Sequence, residues 1–175
     1  MRVCIPVSTR SADQRGALGN RLTQVVAPLP VYLGDPLERL RVVHEAMRDV
    51  KDSKLAMGAE VIAGMQDFAP PTLLAQASRL NFSTRLFNLL VTNVPGPQFP
   101  LYVRGRELQD VFPVAFLPRN HALAIAIMSY NGQINFGLLG DYDALPDIGL
   151  IADGIEASLE ELVSLARREA PVTSA

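Results

Sequence analysis

Few residues in this 175-residue chain can do chemistry, and they are scattered along it. There are two histidines, His44 and His121, and a single cysteine, Cys4. A histidine base works only with a nucleophile within hydrogen-bond reach and a third group that orients the ring. Neither histidine stands in such a setting. His44 follows Val43 on the flank of a helical stripe and reads as a surface residue, while His121 follows Arg119-Asn120 at the edge of a strand. No Gly-x-Ser-x-Gly elbow, His-Glu-x-x-His pair or Gly-x-x-x-x-Gly-Lys loop occurs. Asp141, Asp143 and Asp147 lie close together but lack the glycine and distal glutamate of a calcium loop, so they read as a turn and a helix cap. The lone cysteine rules out an internal disulfide and a thiolate zinc site. No complete catalytic constellation results, and neither a metal nor a resident cofactor is expected.

One segment resists a purely structural reading. Leu90-Val91-Thr92-Asn93-Val94-Pro95-Gly96-Pro97 puts two polar side chains at the end of an otherwise apolar run. An unpaired buried polar group costs about 1–3 kcal/mol, so Thr92 and Asn93 must find partners or face a cavity. In the first case Asn93 caps the turn through its side chain while Pro95 and Pro97 stiffen it. In the second, the pair lines a site.

The elements that position this segment are legible from periodicity. Met1 to Val7 reads as a short buried strand. Leu22 to Tyr32 is β-leaning, with Pro28 and Pro30 confining its second half to an edge or an extended crossing segment. Asp35-Pro36 marks a helix start, and Leu37, Leu40, Val43, Met47 and Val50 carry an amphipathic stripe to about Lys54. Helical stretches are expected at 55–67 and 72–80. Phe87 to Val94 reads as a strand, stopped by Pro95-Gly96-Pro97. Leu101-Tyr102-Val103 and Val111 to Leu117 are further strand candidates, and Asn131-Gly132 joins His121–Tyr130 to Gln133–Leu139 as a hairpin. A last helix follows Leu145-Pro146-Asp147, with Ile148, Ile151, Ile155, Leu159, Leu162 and Leu165 on one face. The order predicts a mixed α/β layer over residues 1–169, with 170–175 as a loose tail.

Composition narrows the function classes. The chain is 49% hydrophobic and 19% charged, with 16 Lys+Arg against 18 Asp+Glu. That balance excludes a basic nucleic-acid footprint, and the apolar fraction excludes disorder. The longest clean apolar run, Ala122 to Met128, is far short of a membrane span. Met1-Arg2 leads straight into Val3-Cys4-Ile5-Pro6-Val7 without a cleavage pattern, so no signal peptide is expected, and the single cysteine suits a reducing compartment.

Several motifs in order point further. Ile5-Pro6-Val7-Ser8, Gly19-Asn20-Arg21, Asp35-Pro36-Leu37-Glu38-Arg39-Leu40, Val91-Thr92-Asn93-Val94-Pro95-Gly96-Pro97, Pro100-Leu101-Tyr102 and Ser129-Tyr130 occur in succession. Phe136-Gly137-Leu138 with Asp141, and Leu145-Pro146-Asp147, complete the set. Together they resemble the C-terminal half of the bacterial wax ester synthase/acyl-CoA:diacylglycerol acyltransferase family, from about Met1 to Ala166. The resemblance implies one half of a chloramphenicol acetyltransferase-like fold, in which two α/β halves enclose a substrate tunnel.

The family's His-His-x-x-x-Asp-Gly base motif belongs to the N-terminal half, and this sequence does not contain it. The chain is therefore expected to be a second half, inactive alone, whose partners are the N-terminal catalytic half, acyl-CoA and a fatty alcohol or diacylglycerol. Acyl-CoA enters as substrate rather than as a cofactor. The resemblance makes Thr92 a hydroxyl donor across the tunnel, with Asn93, Pro95, Gly96 and Pro97 forming its wall. It also makes Asn20-Arg21 a recurring pair, structural or in contact with substrate. A cytoplasmic location is implied, with peripheral contact at the inner membrane or lipid inclusions. The competing reading is a stand-alone, non-catalytic module that uses the same fold to bind lipid or a protein partner.

Overall fold

A computed structural model describes residues 1–8, 22–52 and 84–169. The expected helices at 55–67 and 72–80, the pair Asn20-Arg21 and the tail at 170–175 lie outside the described residues. The strands are β1 (Arg2–Ser8), β2 (Leu22–Pro28), β3 (Leu89–Pro95), β4 (Tyr102–Val103), β5 (Arg106–Glu107), β6 (Leu123–Tyr130) and β7 (Gln133–Gly140). The helices are α1 (Pro36–Asp52) and α2 (Ile148–Glu169). Five strands form one mixed sheet in the order β2-β1-β3-β6-β7, and β4 pairs with β5 separately. β1, β3 and β6 run parallel, while the outer strands β2 and β7 are antiparallel to their neighbours. This is the mixed α/β layer that the element order predicts.

Local chemistry sets the element ends. Asp35 Oδ1 accepts hydrogen bonds from the backbone N–H of Leu37 (2.8 Å) and Glu38 (2.9 Å), and Pro36 fills the first helical position without a wasted donor. Pro28 closes β2, which lies at the sheet edge where a proline costs no ladder bond. Asn131 (φ 46°) and Gly132 (φ 82°) make the β6–β7 turn, a conformation that favours this residue pair.

Side chains alternate across the sheet, so each face has its own core. Val3, Ala27 and Leu89 are buried on one face, where Met47 of α1 packs against them. α2 lies on the same face; its Ile148 sits against Gly140, the partner of Leu123 in β6. Cys4, Leu90, Ala124 and Ala126 are buried on the opposite face with Phe87 and Ala115. No described helix covers that second face.

A strap crosses it instead. Val111 to Leu117, expected as a strand, forms no ladder. It packs flat on the sheet rather than on its edge, and Pro113 removes a donor in its middle. Val111, Pro113, Ala115 and Leu117 turn toward the sheet: Asn135 Nδ2 donates to the Val111 carbonyl at 3.0 Å, and Ala115 joins the core. The alternate residues Phe112 (70% exposed), Val114 (82%) and Phe116 (58%) turn away from it.

Candidate functional site

The site expected at the end of β3 starts from a split in the sheet. β1 and β3 pair only at Val3–Leu89 and Cys4–Leu90, after which β1 continues with β2 alone among the described residues. From Val91 to Pro95, β3 is held by β6 alone among the described residues. The expected fully buried strand is therefore buried at Leu89 and Leu90, half-buried at Val91 and Thr92, and exposed from Asn93 to Pro95. It emerges from the core because its neighbour departs.

Thr92 pairs with Ala126 and shares the strap face with Leu90. Asn93 pairs with Ile127 and shares the helix face with Val91. Strand geometry sends the two side chains to opposite faces of the sheet. Asn93 makes no side-chain hydrogen bond among the described residues, which corrects the expectation that it caps the turn. The predicted burial penalty does not arise either, since no buried polar side-chain atom among the described residues lacks a partner.

The turn is fixed by Gly96 from the motif and by Gln98, which the sequence did not single out. Gly96 packs so closely that a Cβ there would stand 2.2 Å from the Ser129 carbonyl oxygen. Gln98 Nε2 donates to the Gly96 carbonyl and to Ser129 Oγ, each at 3.0 Å, and its Oε1 accepts from Gly132 N–H at 3.1 Å. Behind the turn, the fully buried Tyr130 hydroxyl accepts from Leu101 N–H and donates to the Leu108 carbonyl, both at 2.8 Å. Those two bonds clamp the root of the β4–β5 hairpin. Only the shape of Gly96-Pro97 and the Ser129-Tyr130 pair hinted at this arrangement in the sequence.

The remaining candidates are structural. His44 is exposed on α1. His121 is buried below the start of β3, at the end away from Pro95, and stacks on Phe87 with ring centroids 4.6 Å apart. Its Nδ1 lies 3.1 Å from the Arg119 carbonyl oxygen and its Nε2 lies 3.2 Å from that of Phe87. Asp141 Oδ1 accepts from the N–H groups of Asp143 (3.1 Å) and Ala144 (2.9 Å), the turn expected of it. Among the described residues no three His, Cys, Asp or Glu side chains gather as a metal site, and no helix is long and apolar enough to cross a membrane. Burial pushes the Cys4 thiol up to about 11, which keeps it protonated and unreactive.

Residues 18–163 match the WS/DGAT C-terminal domain. The chain belongs to that family. It is 34% identical to a putative diacylglycerol O-acyltransferase of Mycobacterium bovis, over 96% of this chain and 37% of the relative. It is 31% identical to a second putative diacylglycerol O-acyltransferase, from Mycobacterium tuberculosis, over 91% and 32%. The solved wax ester synthase/diacylglycerol acyltransferase from Marinobacter aquaeolei VT8 superposes with a TM-score of 0.65 at 27% identity, covering 92% of this chain and 35% of that one. This WS/DGAT C-terminal domain thus spans about a third of the length of the relatives it matches, and its sheet with flanking helices matches the fold of the Marinobacter structure.

Proposed function

We propose that this domain supplies one wall of the substrate tunnel of a long-chain O-acyltransferase that esterifies a fatty alcohol or diacylglycerol with acyl-CoA. The observation that carries the reading is family membership over only a third of the relatives' length. The N-terminal half of such an enzyme is the partner, and it docks on the strap face. Two features support that placement: no described helix covers this face, and Phe112 and Val114 stand exposed on the strap.

In the reaction, a histidine of the N-terminal half takes the proton from the acceptor hydroxyl. The resulting alkoxide attacks the thioester carbonyl, the C–S bond breaks, and the proton passes to the departing coenzyme A thiolate. Negative charge gathers on the carbonyl oxygen meanwhile and requires a donor on the opposite wall. Thr92 fills that role: its hydroxyl is half-buried, faces the strap side and makes no hydrogen bond among the described residues. The complete enzyme works in the cytoplasm, in peripheral contact with the inner membrane or lipid inclusions where its substrates reside.

The test is thiol release from palmitoyl-CoA with hexadecanol or dioleoylglycerol as acceptor. The chain alone should release none above background. A chimera with this chain in place of the matching third of the Marinobacter enzyme should turn over. Sustained turnover by the chain alone, lost on His44→Ala or His121→Ala, would contradict the assignment. So would a folded chimera that binds acyl-CoA but releases no thiol.

A further inference from the structure

Past Leu90, β3 pairs on one side only among the described residues, and Pro95 and Pro97 prevent it from extending its ladder to β6. A strand end held on one side only frays unless something else ties it down. Gln98 supplies the tie, bonding at once to Gly96, Ser129 and Gly132, while the Pro97 carbonyl accepts from Asn131 N–H at 3.0 Å. A primary amide both donates and accepts without carrying charge, and all three of these contacts use that duality.

We propose that Gln98 is a positioning residue: it locks the Pro95-Gly96-Pro97 turn onto the Asn131-Gly132 turn and so holds the Thr92 hydroxyl in a fixed direction on the strap face. The inference rests on the tunnel role given to Thr92 above. It assigns to Gln98 the bracing that the sequence placed on Asn93.

Solution NMR of this chain reads the lock without any catalysis. Gln98→Met, similar in length but lacking the amide, should speed amide exchange at Gly132 roughly ten-fold, the equivalent of one ordinary hydrogen bond. The Thr92 methyl should gain motion while Leu90, deeper in the core, does not. Gln98→Glu keeps the acceptor for Gly132 and should preserve its protection. In the chimera, Gln98→Met should lower kcat roughly ten-fold with KM unchanged, and should add nothing to Thr92→Val, because both act through one hydroxyl. Unchanged exchange at Gly132, or losses that simply add to those of Thr92→Val, would overturn the positioning role and leave the tunnel reading intact. Normal turnover by Thr92→Val would remove both.

Discussion

The Pro113 carbonyl oxygen lies directly over Gly137, so close that a Cβ at that position would stand 1.8 Å from it. The strap is therefore seated in a gap left by a missing side chain in β7, and backbone on backbone cannot yield as a flexible side chain could. Gly137→Ala should cost about 3 kcal/mol by lifting the strap, at the upper end of ordinary overpacking. Gly149→Ala in α2 meets nothing within 4 Å and should instead stabilise by roughly 0.5–1 kcal/mol through helix propensity. Urea denaturation of both variants tests the contrast, and equal effects would show that Gly137 is not special.

Thr92 separates a hydroxyl role from a packing role. In the active chimera, Thr92→Ser keeps the donor and should retain most of the turnover. Thr92→Val keeps the shape and should lose about a hundred- to a thousand-fold, or roughly 2.7–4 kcal/mol of transition-state stabilisation. Full activity in Thr92→Val would make this a strand-end residue and nothing more.

Tyr130→Phe removes only an oxygen, but that oxygen holds both ends of the β4–β5 hairpin. The Leu101 N–H and Leu108 carbonyl would each lose a partner, at a combined cost of about 1–3 kcal/mol. Faster amide exchange at Leu101 together with a lower urea midpoint is the expected result. An unchanged midpoint would mean that the hairpin root is held elsewhere.

Cys4 predicts a pH dependence at the alkaline end. Its thiol ionises near 9 when exposed in the unfolded chain and at about 11 when buried in the fold. Because the folded-state value is the raised one, its stabilising effect is complete below pH 9 and is lost as pH climbs to about 11. The loss is on the order of 2–3 kcal/mol. Comparing the denaturation of Cys4→Ala with that of the parent at pH 8 and pH 11 isolates it. Parallel declines in the two proteins would mean that Cys4 contributes nothing.

Phe112 and Val114 should make the isolated chain adhesive, since exposed apolar groups in a row are covered in a larger assembly. Replacing both with serine should reduce binding of a dye that reports apolar surface and leave the fold intact, because neither faces the core. A monodisperse parent with no dye binding would contradict the idea that this face awaits a partner.

The sequence disclosed what is local. The Asp35-Pro36 cap, the Asn131-Gly132 hairpin and the final helix are written in a few adjacent residues whose conformational preferences are strong. Val111 to Leu117 misled because alternation marks any extended segment with one covered side, whether it lies within a sheet or across one. The departure of β1 from β3 depends on pairing between residues more than eighty positions apart, and nothing in Val91-Thr92-Asn93 announces it. The same holds for Gln98, whose partners at Ser129 and Gly132 lie some thirty residues away. Motif order singles out Thr92 as a candidate, whereas the direction of Asn93 is set by the register.

The two shared rungs of β1 and β3 also have a mechanical meaning. They form the short spine of an opened book: β2 and β1 make one page, backed by α1, while β3, β6 and β7 make the other, backed by α2. The angle between the pages is set where Cys4 and Leu90 meet, both of them fully enclosed. A bulkier or smaller residue at either position would therefore change how far β1 and β3 diverge beyond it, without touching Thr92 itself.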